Sequence, residues 1–126
     1  MSDESSLKSG LMKELKAHLP GFVALRHEDM RSAGIPDLSL TGCARTTWWE
    51  FKYGMPSFKG SGIQELTMLR LAAAGYARYV VWEEKRDVKR TLIVHPKQVG
   101  TMDAEAWCTG FDHRFVVEFM KKAHGA

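Results

Sequence analysis

The sequence predicts an α/β domain, a central mixed sheet flanked by helices. Three observations carry this: leucines at four-residue spacing near the start, a run of short apolar segments through the middle, and a second helical segment leading into another apolar strand. The first helix is "SSLKSGLMKELKAHL", residues 5 to 19, where Leu7, Leu11, Leu15 and Leu19 form one face and Pro20-Gly21 is the stop. Gly10 weakens its first half. "GFVALRH" reads as a strand, and "EDMRSAG" as a loop. "IPDLSL" and "TTWWEFKY" then read as two strands joined by a four-residue loop, Gly42 to Arg45. After the turn-rich "GMPSFKGSG", a second helix starts at Ser61 and ends at Gly75, followed by the strand "YARYVVW", the charged turn "EEKRD" and the returning strand "VKRTLIVH". "MDAEAWC" and "FVVEFMKKAHG" read as short helices.

At 126 residues with 44% hydrophobic content, the chain has the size of one domain, residues 1–126, with a single core. The net charge of +3 permits a polyanionic partner without requiring one. No apolar run has the roughly 20 residues of a membrane span, and "MSDESSLKSG" is unlike a signal peptide, so no membrane partner and a cytoplasmic location are expected. Cys43 and Cys108 are far apart and form no CxxC pair, which argues for reduced thiols and against structural zinc.

Charge is misplaced in one stretch, "GIPDLSLTGCARTTWWEFKYG". In a hairpin pairing Thr41 with Thr46 and Leu38 with Trp49, Asp37 faces Glu50. Side chains alternate along a strand, so Glu50 and Lys52 share one face, while Trp49, Phe51, Leu38 and Leu40 share the other. Like charges directly opposite one another are destabilising, by roughly 0.2–1 kcal/mol, unless something positive lies between them. A hard divalent cation is the natural candidate, taking carboxylate and carbonyl oxygens plus water. Asp37 and Glu50 would each give an oxygen and the Phe51 carbonyl a third, with Lys52 beside a metal-bound water that it could orient or deprotonate. Alternatively, Lys52 could neutralise charge building on a phosphate. The set reads as metal-assisted phosphodiester hydrolysis.

"GIPD", 12 further residues and "EFK" together resemble the signature of the PD-(D/E)XK nuclease superfamily. The details are similar to its virus-type replication-repair (VRR-NUC) branch, in which a helix glutamate precedes the G-x-P-D strand and a glutamine-bearing helix follows E-x-K. Glu14, Asp37, Glu50, Lys52 and Gln64 occupy those positions, and the ordered set spans residues 14 to 82. The resemblance implies an αβββαβ restriction-endonuclease-like core and Mg²⁺- or Mn²⁺-dependent cleavage of DNA, of branched structures such as Holliday junctions or flaps. It also implies Glu14 as a further metal ligand and Gln64 as a catalytic residue. Stand-alone members of this size are often viral, which would make the location a host cytoplasm. Cutting both strands of a junction from 126 residues suggests a two-fold homodimer.

Several of these residues have a second reading. Glu14 borders the leucine stripe, where an exposed glutamate is ordinary. Gln64 also completes a capping box with Ser61. Trp48 shares the face of Glu50, where it either stacks on a base or packs at the site's edge. Arg26, Arg31 and Lys59 lie on segments flanking the site and are candidate phosphate contacts. His27 reads as a polar strand exit.

Two other function classes compete with the nuclease. A non-catalytic DNA-binding module needs no complete acid and lysine set, and here the set is complete. A hydrolase of free nucleotides wants a glycine-rich phosphate loop, and "GMPSFKGSG" matches no P-loop.

Overall fold

A computed structural model describes residues 3–27, 34–54, 62–101 and 103–126. Its elements run α1 (Asp3–His18), β1 (Val23–Arg26), β2 (Leu38–Gly42), β3 (Arg45–Gly54), α2 (Gly62–Ala74), β4 (Ala77–Lys85), β5 (Val88–Val94), a 3₁₀ turn (Pro96–Gln98), β6 (Ala106–Thr109) and α3 (His113–Ala123). The six strands form one sheet in sequence order. Every neighbouring pair is antiparallel except β3–β4. A parallel pair needs a crossover, and α2 supplies it. The sheet is therefore mixed and flanked by helices, as expected.

One face of the sheet is covered by α1 and α3. Leu11 and Leu15 pack with Leu38, Leu40, Trp49, Phe51, Trp82, Val116, Val117 and Met120 in one buried cluster. Burying a side chain of this size contributes about 1.5–3 kcal/mol, so this face holds most of the apolar stabilisation. The other face carries α2 and a smaller cluster of Met68, Ala77, Tyr79, Val81, Leu92 and Val94. Gly10 belongs to the larger face for a steric reason: a Cβ there would lie 2.7 Å from Nε2 of His113, so glycine lets the two helices approach.

The hairpin has the expected register, Thr41 with Thr46 and Leu38 with Trp49, but its loop is shorter than expected. Gly42 pairs with Arg45, and the turn is Cys43-Ala44, both with positive φ (53° and 61°), the pattern of a type I′ turn. Asp37 precedes β2, so "IPD" is not strand. Two other expectations are corrected. "EEKRD" is not a turn throughout: Glu83, Glu84 and Lys85 continue β4, and only Arg86-Asp87 turn. "AWC" is not helix but strand β6, paired with β5 through Leu92–Trp107 and Ile93–Ala106. The second segment of that region is the helix expected, α3, capped by Asp112 accepting from the Phe115 N–H.

Candidate active site

Asp37 is placed by "GIPD". Gly34 has φ of 86°, a left-handed value that favours glycine, and a Cβ there would be 2.6 Å from Ile63 on α2. The chain thus passes close under α2, and proline follows in an extended segment. The Asp37 carbonyl accepts from the His27 N–H at 2.8 Å, tying the segment to the end of β1.

Four of the sequence-predicted residues converge. The Asp37 N–H donates to Oε1 of Glu50 at 3.0 Å, and Oδ2 of Asp37 accepts the Phe51 N–H at 3.0 Å. These two bonds extend the hairpin by one reciprocal step, made by side chains instead of backbone. Gln64, on the first turn of α2, donates from Nε2 to Oε2 of Glu50 at 2.6 Å and accepts from Nζ of Lys52 at 2.9 Å. Lys52 lies 3.4 Å from the same Oε2. Gln64 therefore joins the acid and the lysine. Its side chain is committed here, and its capping partner Ser61 lies outside the described residues.

Glu50 is only 3% exposed. Burial, and then the negative charge of Asp37, push its carboxyl up to about 7, with Lys52 acting in the opposite direction. Tyr79, its neighbour across β3–β4, is also raised, by burial first and by Glu50 and Glu65 after it. The donors of the site are hard oxygens, which fits a hard divalent cation. Among the described residues there is no cluster of three or more His, Cys, Asp or Glu. An ion here would keep several waters, as Mg²⁺ commonly does.

Sequence reasoning missed Lys8. Its Nζ lies 3.5 Å from Oδ2 of Asp37 and 3.7 Å from Glu4, so α1 brings a cation and a further acid to the edge of the site. No spacing in the sequence relates Lys8 to Asp37, and only the packing of α1 does. Glu14 lies on the same helix. It is six residues beyond Lys8, about 9 Å along the helix and turned roughly 240° from it. Its carboxylate pairs with His18 at 3.0 Å.

The remaining candidates are more peripheral. Trp48 shares the Glu50 face and packs against the α2-side cluster, its ring 5.4 Å from that of His27. His27 bonds Ser39 at 2.7 Å. Arg26 is exposed at the end of β1, the cross-strand partner of Leu38. Phe51 stands between Glu50 and Lys52 on β3, with its N–H held by Asp37. Arg31 and Lys59 fall outside the described residues.

No family model matches the sequence, and no curated protein matches it either. Among solved structures, the chain is similar to Hjc of Archaeoglobus fulgidus, a Holliday junction resolvase from an archaeal hyperthermophile. The TM-score is 0.56 over 98% of this chain and 97% of that one, at 13% sequence identity. At that identity it is the architecture that is shared: the mixed six-stranded sheet with flanking helices is the resolvase-like, restriction-endonuclease-like α/β fold.

Proposed function

We propose that this chain is a Mg²⁺- or Mn²⁺-dependent DNA endonuclease of the PD-(D/E)XK type, of its VRR-NUC branch, selective for branched DNA such as Holliday junctions or flaps. The observation that carries the reading is the joining of Asp37, Glu50, Lys52 and Gln64 by hydrogen bonds at one end of the sheet. Similarity to the fold of a Holliday junction resolvase supports the choice of branched DNA.

Asp37 and Glu50 would hold the ion, with the Phe51 carbonyl as a third oxygen. Bound there, a divalent cation lowers the pKa of water and polarises the phosphate. The chain supplies the rest. Lys52 places an ammonium beside the acids, where it orients the attacking water or neutralises charge growing on the phosphate oxygens. Gln64 fixes the Lys52 and Glu50 side chains in one arrangement, so little reorganisation is needed during reaction. Lys8 sets a second cation on the Asp37 side, and Arg26 and Trp48 are candidate contacts to the DNA strand. Two cuts across a junction need two such sites, from which we infer a two-fold homodimer. A purely monomeric mass by light scattering, with symmetric junction cutting retained, would remove the dimer.

The test is to incubate the protein with labelled linear, flapped and four-way DNA, in Mg²⁺, in Mn²⁺ and with chelator, beside Lys52→Ala. Metal-dependent cleavage of the branched forms, absent in Lys52→Ala, is expected. Identical products from the wild type and the variant would show the reading to be wrong.

A further inference from the structure

Beyond the catalytic cluster, the sheet has one undefended edge. Strand β1 is outermost, with β2 as its neighbour. The His27 N–H donates to the Asp37 carbonyl, and that pair continues the β1–β2 register, so Leu25 and Val23 also turn their backbone groups toward β2. Ala24 lies between them and turns its N–H and C=O outward, away from the sheet. Side chains alternate as well. Ala24 packs into the α1 and α3 cluster, whereas Val23 and Leu25 project from the opposite face, 54% and 53% exposed. Protein sheets usually guard such an edge with lysine, proline or a bulge, and Val23, Ala24 and Leu25 include none of them. The other edge is charged: Asp103 and Glu105 lead into β6, and the Arg90 guanidinium lies 5.2 Å over its Trp107.

The edge is complementary to itself. When two copies of β1 are set antiparallel about Ala24, Ala24 exchanges both backbone bonds with the partner's Ala24. Directly opposite residues share a face, so Val23 lies against the partner's Leu25, and Leu25 against the partner's Val23. Four half-exposed apolar side chains then cover one another. On the opposite face, Ala24 lines an apolar groove of about 370 Å³ with Met12, Leu15, Leu19 and Phe22, and the axis brings the partner's groove against it. Moving the axis to Leu25 would instead set Val23 against the partner's His27, a polar ring already bonded to Ser39 and packed on Trp48 within its own chain. Three paired residues a side cover far less than the roughly 800 Å² per partner of a standard interface, and the groove is what extends the contact. Association without DNA is therefore weak and reversible.

We propose that β1 is the two-fold interface of this chain with a second copy, joining the two sheets into one continuous sheet through Ala24. The proposal deepens the homodimer of the nuclease reading and rests on that reading for its use, yet association can be measured with no DNA present. Because opposite residues share a face, the axis stands perpendicular to the sheet, and both copies present their α2 face on the same side. Glu50 is two strands in from β1 and three residues beyond Ala24, level with His27 through Asp37. At about 4.8 Å per strand and 3.4 Å per residue, the two sites come about 30 Å apart on one surface. That is close to one turn of duplex DNA, about 34 Å, so one DNA molecule can reach both.

The first measurement is sedimentation velocity of the full chain without DNA or metal, with dimer expected at about 100 µM protein and monomer at about 1 µM, as suits so small a contact. Ala24→Pro removes the outward N–H and no bond to β2, a place where an edge strand tolerates proline. Leu25→Lys supplies the missing edge charge, and keeps the test decisive if the proline variant fails to fold. Each should weaken association at least about tenfold with Tm nearly unchanged. The second measurement is oxidative cross-linking in a Cys43→Ser background. Val23 and the partner's Leu25 form a non-hydrogen-bonded pair with Cα atoms about 4.5 Å apart, within reach of a disulfide. Val23→Cys combined with Leu25→Cys should therefore give a covalent dimer, and neither alone should. A monomer at every concentration, or a dimer left intact by both Ala24→Pro and Leu25→Lys, would overturn the proposal, as would cross-linking of Leu25→Cys alone. If the dimer forms and branched DNA stays uncut in Mg²⁺, the nuclease reading fails and the interface stands. If a monomer cuts the DNA, the interface fails and the nuclease stands.

Discussion

Along β3, Thr47, Trp49 and Phe51 face α1 and α3, whereas Trp48, Glu50 and Lys52 face α2. On the first side Thr47 and Trp49 close their polar atoms locally. The Trp49 indole N–H donates to Oγ1 of Thr47 at 2.8 Å, and the same hydroxyl meets Nε2 of His124 at 2.8 Å. Nδ1 of His124 must donate to the Gly42 carbonyl, 3.0 Å away, because a carbonyl only accepts; the neutral ring then accepts the Thr47 proton at Nε2. On the second side, an acid is buried against another acid and lifted to about 7. One side is built for stability, and the other keeps a destabilised charge. Local rules of this kind are broken mainly where chemistry is done.

The comparison breaks first at Trp49. Trp49→Ala removes a side chain with no exposed surface, packed on Tyr76 and Phe119, and should cost about 3–5 kcal/mol in denaturant unfolding. A loss below 1 kcal/mol would mean that this side is not the stabilising one.

Glu50→Gln should do the reverse. The folded carboxyl titrates near 7 against an ordinary 4.5, so the stabilisation from its neutral form is complete below 4.5 and is lost as pH rises through 7. The variant should match the wild type at pH 4.5 and exceed it by about 3 kcal/mol at pH 8 without metal, while losing cleavage. Adding Mg²⁺ at pH 8 should raise the wild-type Tm and leave the variant's nearly unchanged. His124 titrates with the opposite sign. Burial lowers its pKa, so its contribution is lost as pH falls below 6.5. The two sides of one strand thus respond to acid in opposite directions, and a stability profile of His124→Gln against Glu50→Gln would separate them.

Thr47→Val sharpens the contrast at smaller scale. It strips one hydroxyl and leaves two buried nitrogen groups unsatisfied, a loss of about 1–3 kcal/mol by thermal or chemical unfolding. Glu14→Gln should have the smallest effect. It loses a half-exposed pair with His18 worth under about 1 kcal/mol, and cleavage should stay within about twofold of wild type. A hundredfold loss of activity would make Glu14 a ligand at the metal site.

The apolar side and the hairpin register were legible because alternation constrains them: once Leu38 and Trp49 point inward, Asp37 and Glu50 must meet. Strand β6 was not legible, because "MDAEAWC" is rich in helix formers and its pairing with β5 is a tertiary choice that overrides local preference. The charged end of β4 was read as a turn for a related reason. Glu83 is only 4% exposed, which its bond to Arg90 at 2.7 Å permits, and no spacing shows that in advance. The contact of Lys8 with Asp37 depends on how α1 lies across the sheet, which periodicity does not encode.

The turn Cys43-Ala44 has a kinetic consequence. Two-residue turns of this pattern favour Asn-Gly, and neither residue here prefers a positive φ, so the hairpin has little local drive to close. The contact between Asp37 and Glu50 would then form only after α1 and α3 have packed against β3, late on the folding route. Replacing Cys43-Ala44 with Asn-Gly should therefore slow unfolding more than it speeds refolding, while leaving the chemistry of the finished site untouched.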